Sequence, residues 1–157
     1  MKYSILFVIF MLVACDNSGV SPSSDSFASV ILASDISTPW QSWPSGNYNI
    51  KRISISGDKL MLTVSHPGVL LRQFKLVALE YWIVTEPAEA DLLLSVAPDS
   101  LSSRETIQDL VFDLTPLKQS YYYTFGRRSF GQAFDKVHLN IKVPSKLEPR
   151  ATIEYDF

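Results

Sequence analysis

From residue 48 onward apolar and polar positions alternate. Ile50, Ile53 and Ile55 lead into Gly57-Asp58, and Leu60, Leu62 and Val64 follow on one phase with Met61 and Thr63 on the other. Period-two alternation rich in β-branched residues is the pattern of a half-buried strand, and a Gly-Asp pair between two such runs marks a tight turn. The stretch predicts a hairpin with Ile55 and Leu60 flanking the turn. Lys136 to Val143 alternates in the same way through Val137, Leu139, Ile141 and Val143. Phe27 to Ala33 and Leu110 to Leu114 read as shorter strands. Leu70 to Val84 reads as one bent strand or two, ended by Glu86-Pro87. Asp91 to Ala97 is almost continuously apolar, as in a strand covered on both faces.

Breakers separate these runs. His66-Pro67-Gly68 interrupts the pattern, Ser37 to Gly46 is a loop containing Pro39 and Pro44, and Pro98 to Gln108 is polar. Thr115-Pro116 looks like a helix start, Thr capping and Pro in the first helical position. Leu117 to Phe125 then supplies about two turns, Gly126 ends them, and Arg127 to Phe134 is a further loop. The tail from Pro144 to Phe157 reads as an edge strand or a free end. Seven or so short strands in one domain predict an all-β fold, a single antiparallel β-sandwich of immunoglobulin-like type with one short helix. A small β-barrel is the alternative.

The first residues carry an address instead of a fold. Lys2 precedes an apolar run from Tyr3 to Val13 and then Ala14-Cys15. A positive start, an apolar core of about 7–15 residues and a small residue before the cut are the parts of a secretory signal. The run is shorter than the roughly 20 apolar residues a membrane span needs. Leu12-Val13-Ala14-Cys15 resembles the bacterial lipobox, which implies cleavage before Cys15 and lipidation on it. Residues 1–14 are then a lipoprotein signal peptide, 15–26 a lipidated cysteine and Ser/Gly/Pro/Asp-rich flexible tether, and 27–157 the folded domain. The expected place is the bacterial cell envelope, with the membrane as first partner. Inner and outer membranes both remain open, because Asp16 resembles a retention signal in one group of bacteria and an export signal in another.

Cys15 is the one cysteine, so lipidation leaves no thiol for a disulfide. The net charge is −2, one unit more negative without Lys2, which argues against a nucleic-acid partner.

Leu110-Val111-Phe112-Asp113-Leu114-Thr115-Pro116-Leu117-Lys118, followed by Tyr121-Tyr122 and Gly126, resembles the "FDLSPLK" signature of uncharacterised Bacteroidetes-type lipoproteins, loosely NigD-like. Gly57-Asp58 with Leu60, Leu62, Val64 and Ser65 is similar to that group's hairpin, and Gln73-Phe74-Lys75-Leu76 to a third segment. The resemblance implies a sandwich-like fold and no known activity. Where the group often has Cys and His, this chain has Leu70 and Gln73, and none in Ser95 to Ser103. No disulfide or metal site carries over. Read from the residues, Asp113 before the helix can hold backbone donors, and Phe112, Leu114 and Leu117 can plug one end of the sandwich.

Candidate chemistry is sparse. His66 and His138 are expected at the surface, too few and too far apart for zinc, and no cofactor is implied. No serine sits in Gly-x-Ser-x-Gly. Glu86, Glu89 and Asp91 are close enough to keep paired-carboxylate hydrolysis open, although a charged loop explains them as well. Two aromatic groups stand out as possible contacts for an envelope protein or a glycan. One is Trp40 and Trp43 with Tyr48 nearby; the other is Tyr121 and Tyr122 with Arg127 and Arg128. For both groups, packing against the sandwich is the favoured reading. The sequence therefore predicts a membrane-anchored, non-enzymatic binding or scaffolding domain. An inhibitor or immunity-type lipoprotein and an envelope hydrolase are the alternatives.

Overall fold

The alternating runs become the inner rows of two facing sheets. A computed structural model describes residues 28–35, 42–68, 71–83, 85–98, 104–126, 136–144 and 148–156, the side chains of residues 35, 80, 81 and 126 aside. Residues 1–26, expected to be signal peptide, lipidated Cys15 and tether, lie outside the described residues, as do Trp40, Arg127 and Arg128.

One sheet has the order β1-β7-β4-β3 and the other β2-β5-β6-β8-β9. The strands are β1 (Ala28–Ser29), β2 (Ile31–Leu32), β3 (Asn49–Ser56), β4 (Lys59–Pro67), β5 (Phe74–Ile83), β6 (Ala88–Val96), β7 (Glu105–Asp113), β8 (Lys136–Lys142) and β9 (Pro149–Asp156), with α1 at Thr115–Gly126. The all-β sandwich with one short helix is what the chain forms. Its sheets are mixed, because β1–β7, β2–β5 and β6–β8 pair in parallel. The expected first strand divides at Val30, which is buried and donates its N–H to the Asp113 carbonyl (3.0 Å), so its two halves join different sheets.

Leu60, Leu62 and Val64 face Leu76, Leu92, Leu94, Leu139 and Ile141 across the core. The hairpin has the expected register, Ile55 opposite Leu60, and Gly57 takes the left-handed conformation (φ 56°) that favours glycine. β6 is buried on both faces, as its apolar run requires. Its outward Leu93 joins Val77 and Leu79 in a second cluster covered by Ile31, Ala33 and Trp43. The chain's end supplies an edge strand, β9, with Tyr155 facing inward and buried.

Two expectations fail at one place. β4 runs on through His66 and Pro67, and β7 begins at Glu105, inside the stretch expected to be a loop. The inward positions there are polar. His66, 1% exposed and so no surface residue, faces the Pro67 carbonyl with Nδ1 (3.0 Å) and Gln108 Oε1 with Nε2 (3.2 Å). Gln108 exchanges two hydrogen bonds of 3.0 Å with the Arg72 backbone, and the Thr106 hydroxyl donates to the Gly68 carbonyl. Inward polar groups bonded in this way cost little to bury, and they erase the alternation from the sequence. His138 is half-buried, on the outward phase of β8.

The opposite end is closed by α1. Asp113 Oδ1 accepts the Thr115 N–H (2.9 Å) and hydroxyl (2.6 Å), as expected of an acid before a helix. The Leu114 carbonyl takes the first helical bond, from the Lys118 N–H (3.0 Å). The cap position is thus Leu114, one residue before the expected Thr115. Phe112, Leu114, Leu117 and Tyr121 are all buried beneath it, and the Trp82 ring meets Tyr121 edge-on at 4.9 Å. The hairpin turn holds this end in place. The Asp58 carbonyl accepts the Leu114 N–H (2.8 Å), and its Oδ1 accepts the Tyr155 hydroxyl (2.6 Å) and Lys118 Nζ (3.0 Å).

The Tyr155 hydrogen bond first, then Lys118, holds the Asp58 carboxyl below its ordinary value of 3.8. Such a group contributes stability that is full above the ordinary value and drains away as pH falls through the folded one. Tyr155→Phe is expected to cost roughly 1–2 kcal/mol near neutral pH, a hydrogen bond to a charged acceptor discounted for partial exposure. In denaturant unfolding that difference should hold down to about pH 4 and shrink below it. A difference that is unchanged at pH 3 would remove Asp58 as its source.

Candidate binding end

Residues 42–48 close the end of the sandwich opposite α1. Their path is set by backbone contact with the last residues of β6. The Gly46 N–H donates to the Val96 carbonyl (2.8 Å), Ser45 forms a parallel bridge with Val96, and the Ser95 hydroxyl donates to the Pro44 carbonyl (2.7 Å). A Cβ on Gly46 would lie 2.8 Å from the Ala97 carbonyl oxygen, so this approach needs glycine. Tyr48 then turns into the core and its hydroxyl donates to the Leu94 carbonyl (2.8 Å). Burial pushes the Tyr48 phenol up to about 12 against the opposing pull of Arg150. The Arg150 guanidinium lies 5.1 Å from the Tyr48 ring and donates to the Tyr48 carbonyl, joining β9 to the start of β3.

A groove lies on each side of this segment. The larger, about 560 Å³, is bounded by Trp43, Pro44, Val96 and Ala97 with Lys75 and Gln73. Lys75 is exposed, and its ammonium stands 5.9 Å from the centre of the Trp43 ring. The smaller, about 390 Å³, lies among Asn47, Asn49, His66, Arg104, Glu105 and Arg150. The Ser65 hydroxyl, and after it Lys51 at 3.7 Å, holds the Glu105 carboxyl below its usual range. Ser65 and His66 are neighbours in sequence but face opposite sides of β4, so they form no nucleophile–base pair.

The structure separates the sequence-predicted contact residues. Trp43 is half-buried on the outer cluster and lines the larger groove. Tyr121 must be withdrawn as a contact residue. It is fully buried because the helical turn that begins at Leu117 points it at Trp82 and Phe125. Tyr122 and Tyr123 are exposed on α1, at the far end from Trp43. Two of the three carboxylates considered for hydrolysis are held by donors from β8. Glu89 accepts from Asn140 (2.9 Å), Asp91 is buried against Lys142 (2.6 Å), and Glu86 is exposed in the turn before β6. Among the described residues, no three His, Cys, Asp or Glu side chains gather as metal ligands.

Lys75, Arg104 and Arg150 were missed by sequence reasoning. The available signal was Lys75 itself, a cation on the outward phase of an apolar strand.

No protein-family model matches the chain, and no curated relative matches it. Among solved structures it is similar to a NigD-like immunity protein from Bacteroides caccae, with a TM-score of 0.52 and 11% identity, over 83% of this chain and 59% of that one. It is also similar to a protein of unknown function, DUF1344, from Bacteroides vulgatus, with a TM-score of 0.46 and 15% identity, over 83% of this chain and 57% of that one. The chain thus spans little more than half the length of either. At these identities the likeness is one of fold.

The pinned loop can be tested through Gly46. Gly46→Ala is expected to destabilise the domain by about 1–3 kcal/mol through forced displacement of the loop from β6. It should also shift tryptophan emission to the red as Trp43 gains water. A variant with wild-type melting temperature and emission would show that the contact with Ala97 is not tight.

Proposed function

We propose that this chain is a lipid-anchored protein of the bacterial envelope that acts by binding, without catalysis, through the loop-bearing end of its sandwich. The anchor rests on the sequence. Leu12-Val13-Ala14-Cys15 has the residues of a lipidation site, and the polar stretch 16–26 gives a tether. Several acyl chains on one cysteine hold a protein stably, where a single chain binds only marginally.

The observation that carries the binding mode is the segment 42–48. It is fixed to β6 by backbone bonds, and grooves with cationic side chains open on either side of it. A rigid framework presenting a pre-ordered loop is how binding proteins limit the entropy lost on association. An inhibitor or immunity-type role is the second reading. The fold shared with a NigD-like immunity protein favours it.

The first test is intact mass of the protein from membrane fractions, beside Cys15→Ala. The expected result is a chain beginning at a lipidated Cys15, with lipid and membrane association both lost in the variant. Crosslinking in the intact envelope should then capture a partner through residues 42–48. A soluble, unlipidated wild type would overturn the anchor. Turnover of an envelope polymer by the purified protein would overturn the non-catalytic reading.

A further inference from the structure

The groove beside Trp43 carries a lysine that, among the described residues, has no ion pair. Each described carboxylate on the outer face of the five-stranded sheet already holds a donor: Glu89 with Asn140, Asp91 with Lys142, and Glu154 and Asp156 with Lys136. Lys75 stands apart from these pairs. Its neighbours on the same face are neutral, namely Gln73 and Val77 along β5 and Ser95 directly across on β6. Among the described residues it forms no ion pair, and its ammonium lies over the Trp43 ring. Trp43, Pro44, Val96 and Ala97 supply the apolar part of the groove wall, and Ser42, Gln73 and Ser95 add neutral polar groups.

We propose that this groove receives an acidic peptide segment of a protein partner, an apolar side chain entering between Trp43 and Ala97 and the adjacent carboxylate meeting Lys75. The indole packs on Val77, Leu79 and Leu93 on one side and lies under Lys75 on another. The ring face under the Lys75 ammonium is thereby occupied and does not stand open for a sugar to stack on. A carboxylate brought to Lys75 gains an ion pair at the edge of apolar surface, where screening is weaker than in open water. An apolar anchor beside a complementary charge is the composition of an interface hot spot. The side-chain interactions that define the groove all come from ordered strands or from the pinned loop, so little ordering is needed on binding.

This inference rests on the binding reading and goes further by naming ligand chemistry and position. The probes are two fluorescein-labelled peptides, Gly-Ser-Leu-Glu-Ser-Gly and Gly-Ser-Leu-Lys-Ser-Gly, titrated by anisotropy against the full chain in detergent. The acidic peptide is expected to bind at least about tenfold more tightly, because the basic one sets like charges together. Lys75→Glu should reverse the preference, and Trp43→Ala should abolish binding of both. Lys59→Glu, at the opposite end, should change neither. Equal affinity for the two peptides, no measurable binding of either, an unchanged preference in Lys75→Glu, or selective binding of a uronate oligosaccharide instead would each overturn the proposal. The broader reading fails separately. A partner crosslinked equally well to wild type and Lys75→Glu would leave the binding function standing and remove this groove from it.

Discussion

Asp58 is the residue on which three parts of the molecule converge. Its carbonyl holds the Leu114 N–H at the entry to α1, and its carboxylate holds Tyr155 from β9 and Lys118 from the helix. The turn it belongs to is part of the four-stranded sheet, Tyr155 is part of the five-stranded sheet, and the helix lies over the apolar end between them. One short turn therefore sets the spacing of the two layers and the seat of their plug. Hydrogen bonds to an ionised acceptor are among the stronger ones available to a chain without disulfides. Their geometry depends on Gly57 reaching its left-handed conformation, so the turn's sequence and the packing of the whole end are one constraint.

That constraint makes the two ends of the sandwich unlike. At the helix end the closure is apolar, with Phe112, Leu114, Leu117 and Tyr121 all buried. At the other end it is polar. His66, Thr106 and Gln108 face inward and bond to the backbone of residues 67–72, and segment 42–48 is fixed by its own backbone bonds to β6. A polar closure built from backbone bonds leaves the side chains of Lys75 and Asn47 exposed beside it. Exposed side chains have room to change there, whereas change at Phe112, Leu114, Leu117 or Tyr121 would meet the packed core.

The legible parts of the fold were those where burial follows the period of the strand. The β3–β4 hairpin, β8 and the doubly buried β6 are of this kind, and so is the Asp113 cap, whose donors lie within two residues. The first half of β7 was illegible because its inward residues are Thr106 and Gln108, whose partners lie more than thirty residues away. The division of the first strand at Val30 was hidden for a different reason. A two-residue pairing carries too few positions to show a period. The parallel β6–β8 pairing is a matter of topology, and local pattern says nothing about which strands become neighbours. In the binding end, Trp43 was legible as a loop aromatic. Its coupling to Lys75 was not, since it arises only when residues 42–48 are laid beside the five-stranded sheet.

The segments that carry the family resemblance in the sequence, Gly57-Asp58 and Leu110 to Lys118, are the ones that build the Asp58 corner. Each prominent residue there has a structural partner: Asp113 with Thr115, Leu114 with Asp58, Lys118 with Asp58, and Phe112 and Leu117 with the core. A likeness confined to such residues can pass on the corner, and with it the two-layer fold, while leaving the opposite end free to differ. The fold itself is similar to that of the NigD-like immunity protein over 83% of this chain at 11% identity. On the binding reading proposed above, partner choice falls to residues the motif does not reach. On that reading the residues to look to in this chain are the side chains around segment 42–48, where an exposed lysine and a half-buried tryptophan meet.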